Sequence, residues 1–377
     1  MWLDLAIKLG VSALVLGGVL NFAGAQTWLE RKQSALMQDR IGANRAYFTV
    51  PWWLGGTPVN WLLRKLGGLG LLHALADVIK LLTKEDFIPE KGDPFLHTLA
   101  PWLSVFFALI AFAAIPIGPT MELWGRHIPL QVANINAGLL FVLALASIGV
   151  YGVILAGMAS GNNLSTLGGL RASSQMLAYE IALGVSLIGI VICYGSVDLQ
   201  QIVLKQGGTF FGSLPAWGVF LQPVACVVFM TAALAETKRI PFDLPEGEPE
   251  IIGYFTEYSG MKFGLFFLTD FVEVVLVSVL TTTLFFGGWQ VPYLTPNGFR
   301  LPWSPAVMPV SPLAYVGLGL LSFTVKVSAF IWFFMQIRWT LPRFRYDQLM
   351  HLGWKVLFPL SLANIVVTSL VVVWSGS

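Results

Sequence analysis

The stretch FGLFFLTDFVEVVLVSVLTTTLFFGGW, Phe263 to Trp289, places only two charged residues, Asp270 and Glu273, among 27 positions. As a helix rising about 1.5 Å per residue, it is long enough to cross a hydrocarbon layer of about 30 Å. Seven further runs of this kind occur: Leu5 to Thr27, Leu99 to Gly118, Ile135 to Gly157, Met176 to Tyr194, Ala216 to Glu236, Pro312 to Phe334 and Trp354 to Trp374. The fold expected is an all-α polytopic membrane protein with about eight transmembrane helices and an amphipathic helix in a long first loop. Composition agrees, since 56% of the 377 residues are hydrophobic, 11% are charged and the mean hydropathy is +0.74. These values exclude a soluble globular chain. The short alternating strands of an outer-membrane barrel do not occur.

The scarce residues narrow the chemistry. Two cysteines, Cys193 and Cys226, stand in apolar runs without a CxxC pair, which argues against disulfide scaffolds, zinc sites and iron–sulfur ligation. His73, His97, His127 and His351 fall in connections or at a span edge, not facing each other within spans as a haem requires. No metal site is expected, and a net charge of +2 carries no nucleic-acid signal. Basic residues do report sidedness. Arg126, Lys205 and Arg300 fall in three alternate connections, whereas the opposite connections hold about 17 of the 22. The positive-inside rule makes the richer loops cytoplasmic and both termini external. Ala23-Gly24-Ala25 offers a signal-peptidase alternative for the N-terminus. Asp4 and Lys8 before the run, with Arg31 and Lys32 after it, favour a retained span. The chain is thus read as one integral membrane domain, 1–377, with a long cytoplasmic loop over 30–97 and an acidic one over 237–262.

The first loop mixes aromatic, aliphatic and cationic residues around Pro51 to Lys65, a composition suited to the membrane interface. Asp77 and Lys80 follow at i and i+3, either a surface ion pair or a buried functional one. Acids inside the spans are the informative feature. Glu180 lies in the fourth, Glu236 ends the fifth, and Asp270 shares a face of the sixth with Glu273. An acid held away from water favours its neutral form, so such groups are candidates for loading and releasing protons. The alternative is that they mark span boundaries. Beyond Glu236, PFDLPEGEPE over 241–250 brings Asp243, Glu246, Glu248 and Glu250 together in a loop whose prolines prevent a regular helix. Arg338, Arg343 and Arg345 are available counterions, and Lys326 in the seventh span is a candidate partner for the intramembrane acids.

Several blocks resemble one family. They are Glu30-Arg31-Lys32 with 38–45 (QDRIGANR), Ala76 to Leu81 with Lys84-Glu85-Asp86, Ala235 to Glu248 with Thr256 to Met261, and Pro342 to Met350. In this order they resemble the H-subunit family of NADH:quinone oxidoreductase, respiratory complex I, over nearly the whole chain. The resemblance implies a membrane subunit that builds the quinone chamber with the peripheral arm and couples quinone reduction to proton translocation. Glu180, Glu236 and Asp77 match the acids of the family's proton pathway, while Asp270 stands where the family usually has Glu. Arg40, Gly42, Asn44 and Arg45, together with Phe242, Asp243 and the acidic loop, would shape the quinone chamber and its entrance. The substrate implied is a quinone, ubiquinone or menaquinone. NADH, FMN and iron–sulfur clusters would be held by partner subunits of the peripheral arm, with small and antiporter-like subunits as membrane neighbours. The location implied is a bacterial cytoplasmic membrane or an organellar inner membrane.

Four further departures stand out. Gly42-Ala43-Asn44 replaces the usual Gly-Pro-Asn and relaxes a stiff turn. About 20 residues near 51–68 are inserted, the chain is one residue short after Glu250, and His73 adds a group able to titrate near neutral pH. Two alternatives remain: the equivalent anchor subunit of a ferredoxin-dependent or hydrogenase-type complex, and a passive anchor whose acids are structural.

Overall fold

A computed structural model describes residues 2–46, 49–51, 53, 56–123, 126–210, 214–243, 251–295, 298–300 and 307–375. Helix α1 (Trp2–Met37) runs on past the expected end of the first span, so Glu30, Arg31 and Lys32 ride on its last turns, not on a separate segment. Helices α2 (Gly56–Leu69) and α3 (His73–Thr83) follow in the first loop and meet at 90°. Gly70 makes the bend: its φ is +85°, and a Cβ there would stand 2.3 Å from the Ala43 carbonyl oxygen. The Trp28 indole donates to the Leu69 carbonyl at 2.7 Å, tying the bend to α1.

Helix α4 (Pro94–Ile110) begins where the Asp93 carboxylate accepts from the Phe95 and Leu96 amides, with Pro94 in the first turn. Helices α5 (Gly138–Ala159) and α6 (Asn163–Tyr194) pack closely, and a Cβ at Gly157 would lie 3.2 Å from the Gly169 Cα. Small residues permit this approach where lipid supplies no hydrophobic drive between helices. Capped by Asn162, α6 starts 13 residues before the expected Met176 and carries Gln175 and Tyr179 beneath the charged end of the bundle.

The expected fifth span, Ala216 to Glu236, is built in two pieces after α7 (Leu199–Gln206): α8 (Gly218–Leu221) and α9 (Pro223–Glu236). Pro223 excludes Gln222 from helical geometry. The freed Gln222 side chain donates to the Thr368 hydroxyl and accepts from the Asn364 amide, both at 2.8 Å, so α13 (Phe358–Ser375) covers the break. Helix α10 (Gly260–Phe285) is the most enclosed element, with Phe271, Val272 and Phe285 fully buried. Helix α11 (Pro312–Thr340) packs beside it, and α12 (Tyr346–His351) reaches α13 through a π-helical turn over Leu352–Leu357.

Among the described residues, seven helices are long and apolar enough to span a membrane, or eight if the bent α2–α3 pair counts as one, making this a multi-pass membrane protein. The all-α expectation meets one correction. Short antiparallel strands occupy alternate connections: β1 (Met121–Leu123) with β2 (Arg126–Ile128), β3 (Thr209–Phe210) with β4 (Leu214–Pro215), and β5 (Leu294–Thr295), β6 (Gly298–Arg300) and β7 (Val307–Met308) as a three-stranded sheet.

Candidate functional site

Where α9 ends, α10 begins and α11 ends, the chain encloses a cavity of about 600 Å³. Among the described residues, five cations line it, Lys84, Lys238, Arg239, Arg338 and Arg343, against two carboxylates, Asp243 and Asp270. Phe255, Tyr258, Phe263, Phe266 and Phe267 supply an aromatic wall. A charged rim with an apolar wall suits an amphipathic molecule carrying hydrogen-bond acceptors on a ring. Burial pushes the Tyr258 hydroxyl above its ordinary range, and the hydroxyl donates to the Ala156 carbonyl at 3.5 Å.

Ion pairs hold the rim. Lys238 Nζ lies 3.2 Å from Asp270 and 3.5 Å from Glu273, with the lysine almost fully buried. Burial alone would pull its ammonium down, but Glu273, Tyr254 and Asp270 together hold it well above the ordinary lysine range. Arg343 donates to the Asp243 carboxylate at 2.9 Å. Arg239 lies 3.5 Å from Glu30 and over the Phe271 ring, and Arg338 also donates to Glu30. Glu30 thus joins α1 to α11 and to the segment after α9. Partners 209 and 308 residues away leave no spacing signal in the sequence.

Behind this rim lies a void of about 40 Å³, walled by mostly apolar residues and by Ser104, Glu236, Thr237 and Glu273. Glu236 closes α9 half-buried, within the electrostatic reach of Glu180, Glu273 and Lys238. Glu180 on α6 accepts from the Ser147 hydroxyl on α5. Four acids therefore run inward from the cavity: Asp270 on its wall, Glu273 and Glu236 at the void, and Glu180 beyond. Of these, Glu273 shares its helix face with Asp270, as the i, i+3 spacing in the sequence implies.

Other sequence candidates take different positions. Asp77 turns to Arg31 on α1, Nη2 to Oδ2 2.5 Å, while Lys80 is exposed. Arg40, Gly42, Asn44 and Arg45 follow α1 and do not line the cavity; Arg40 and Arg45 are exposed, and Gly42 has a φ of +75°. Phe242 points into the core, stacked on Phe344 with ring centres 5.4 Å apart, and its carbonyl accepts from Gln175 at 2.7 Å. Arg345 lies 3.7 Å from the neighbouring Asp347. Glu246, Glu248 and Glu250 lie outside the described residues. Lys326 is not the partner of the intramembrane acids. Its ammonium donates to the carbonyls of Phe286, Gly288 and Gln290 at 2.7 to 3.0 Å and lies over the Trp217 ring, at the far end of α10. A cation there complements the helix C-terminus. Among the described residues no group of three or more His, Cys, Asp or Glu is placed to hold a metal.

Fold and site together define a polytopic helical membrane protein with a charge-lined chamber at one end of its bundle. The NADH dehydrogenase family model matches residues 9–369. The chain is 44% identical over 367 residues to an NADH-quinone oxidoreductase H subunit of Geobacter metallireducens, covering 97% of this chain and 96% of the relative. It is also 44% identical over 373 residues to an H subunit of the same enzyme from Geobacter sulfurreducens, covering 99% and 98%. With an H subunit from Rhizobium meliloti the identity is 43% over 374 residues, covering 98% and 99%. The chain belongs to the NADH dehydrogenase family and is similar to these H subunits along nearly their full length.

Proposed function

We propose that this chain is the membrane subunit of a proton-translocating NADH:quinone oxidoreductase and forms the wall of its quinone chamber. The observation that carries the reading is the aromatic and cationic cavity, with an ion-paired acid on its wall and a line of acids behind it. A quinone headgroup would meet the cations at its oxygens, and the phenylalanines would take its ring and tail. Reduction to quinol consumes two protons and two electrons. The electrons come from an iron–sulfur cluster of a partner, and the proton demand falls on the acids facing the cavity. Asp270, Glu273, Glu236 and Glu180 would pass that demand into the bundle.

In this reading α8 and α9 together make an eighth crossing, with Gln222 at its interruption. Helix α2, with charge on one face, lies along the membrane surface, and Arg40, Gly42, Asn44 and Arg45 frame the entrance. The charged end faces the cytoplasm and both termini face outside. Glu246, Glu248 and Glu250 extend the acidic rim toward the peripheral arm, and the neighbours are the other subunits of the complex.

The test replaces Glu180 or Glu236 by Gln in the intact complex in sealed vesicles. Proton pumping should fall sharply while NADH oxidation by ferricyanide, which bypasses the membrane subunit, persists. Undiminished pumping would sink the reading.

A further inference from the structure

Asp270 and Glu273 stand one helical turn apart on α10 yet open onto different spaces. Asp270 lines the large cavity, whereas Glu273 lines the small void shared with Glu236. Between them is a single ammonium, Lys238 Nζ, within 3.5 Å of both carboxylates. The lysine reaches this place from a backbone φ of +55°, the left-handed position after a helix end that favours glycine or asparagine. Its head also faces the Tyr254 ring at 5.5 Å, which guides a cation without fixing it. Arg239 differs: Glu30, the Phe271 ring and the Met335 sulfur all hold it in one place.

We propose that Lys238 is a positioning residue that makes Asp270 and Glu273 a shared one-proton store, its ammonium facing whichever of the two is ionised. The proposal rests on the proton-coupling reading above and adds to it the group that links cavity and void. With both acids ionised, the trio carries one negative charge. One proton taken from the cavity makes it neutral. When the ammonium faces Glu273 that proton resides on Asp270, open to the cavity; when the ammonium swings to Asp270 the proton resides on Glu273, beside Glu236. Lys238 keeps its own protons throughout, so no bond to nitrogen breaks. Two acids this close to one cation bind protons as a set, and the surrounding apolar wall strengthens each attraction.

The experiment uses the whole complex, purified and reconstituted in vesicles, with a short-chain quinone as acceptor. Lys238→Gln and Glu273→Gln should each lower kcat by about tenfold or more with KM within about twofold, and the double variant should stay as low because two neutral groups cannot exchange a charge. Recovery of the double variant to near the parent rate would show that a fixed neutral pair suffices, and would overturn the proposal. So would Glu273→Gln at the parent kcat. Assembly is read from NADH oxidation by ferricyanide. If Glu273→Gln does not assemble, Glu273→Asp keeps the charge and withdraws it by one methylene; a several-fold loss of kcat is expected, and the parent rate overturns the proposal. Glu236→Gln separates the two readings. Normal pumping in that variant defeats the chamber reading, whereas its loss alongside an unaffected Glu273→Gln defeats this proposal alone.

Discussion

Lys262 Nζ stands 3.1 Å from the Asp86 carboxylate and joins the first turn of α10 to the segment after α3. The Ser259 hydroxyl adds a bond to the Glu85 carbonyl at 3.0 Å, so the cavity residues Lys84 and Tyr258 belong to one clamped corner. Asp86 is 44% exposed, which limits the pair to about 1 kcal/mol. Lys262→Met should therefore raise the quinone KM a few-fold and change kcat little. Steady-state kinetics of the intact complex checks this.

Lys326→Met strands three carbonyls at the end of α10. A lost charged donor to buried acceptors costs about 2–3 kcal/mol. Thermal unfolding of the complex should begin several degrees lower, with pumping at low temperature intact. A loss of pumping without loss of stability would instead place Lys326 on the proton route.

Gln222 is almost fully buried, and its amide is satisfied by Asn364 and Thr368. Asn364→Leu leaves the Gln222 oxygen without this donor and should cost about 1–3 kcal/mol. Replacing Gln222 and Thr368 as well by apolar residues should recover part of the loss. Denaturation of the detergent-solubilised complex measures both.

Phe242→Ala empties a ring site between Phe344 and Tyr179. Such truncations cost about 3–5 kcal/mol. Because Arg343 holds the next residue, Asp243, at the cavity rim, quinone turnover should fall together with stability. Phe242→Leu should be much milder, and parallel thermal and kinetic measurements of the two variants show the gradation.

The pH dependence of Lys238 has a defined sign. Its pKa is raised in the folded chain, so its stabilising contribution is fully present below the unfolded lysine value of about 10.4 and is lost only as pH rises through the higher folded value. An alkaline decline of activity below that point should therefore persist unshifted in Lys238→Arg. A pH–rate profile of the variant decides it.

Hydropathy alone located seven of the spans and the acids Glu180, Glu236 and Asp270, because a charge is conspicuous against lipid-compatible sequence. It could not find where helices leave the membrane. Asn162 and its cap set the start of α6, and α1 continues to Met37 through polar residues. Nor could it pair distant charges, so Glu30 with its two arginines and Lys326 with its carbonyls became visible only when the helices were assembled. The family resemblance implies Phe242 as a chamber residue. Its burial against Phe344 follows from the packing of α12's approach, which local sequence does not encode.

Helix α1 is an unbroken rod of 36 residues. Gln26 bonds to the Phe271 carbonyl at 3.2 Å and Gln33 to Gln336 at 2.6 Å, while Arg31 grips Asp77. At about 1.5 Å per residue, a tilt of roughly 4° pivoting at one end displaces the other by some 3–4 Å. The rod thus works as a beam: a displacement at its N-terminal end is shared by the contacts of Glu30 and Arg31 and by the Gln26 bond to the α10 backbone.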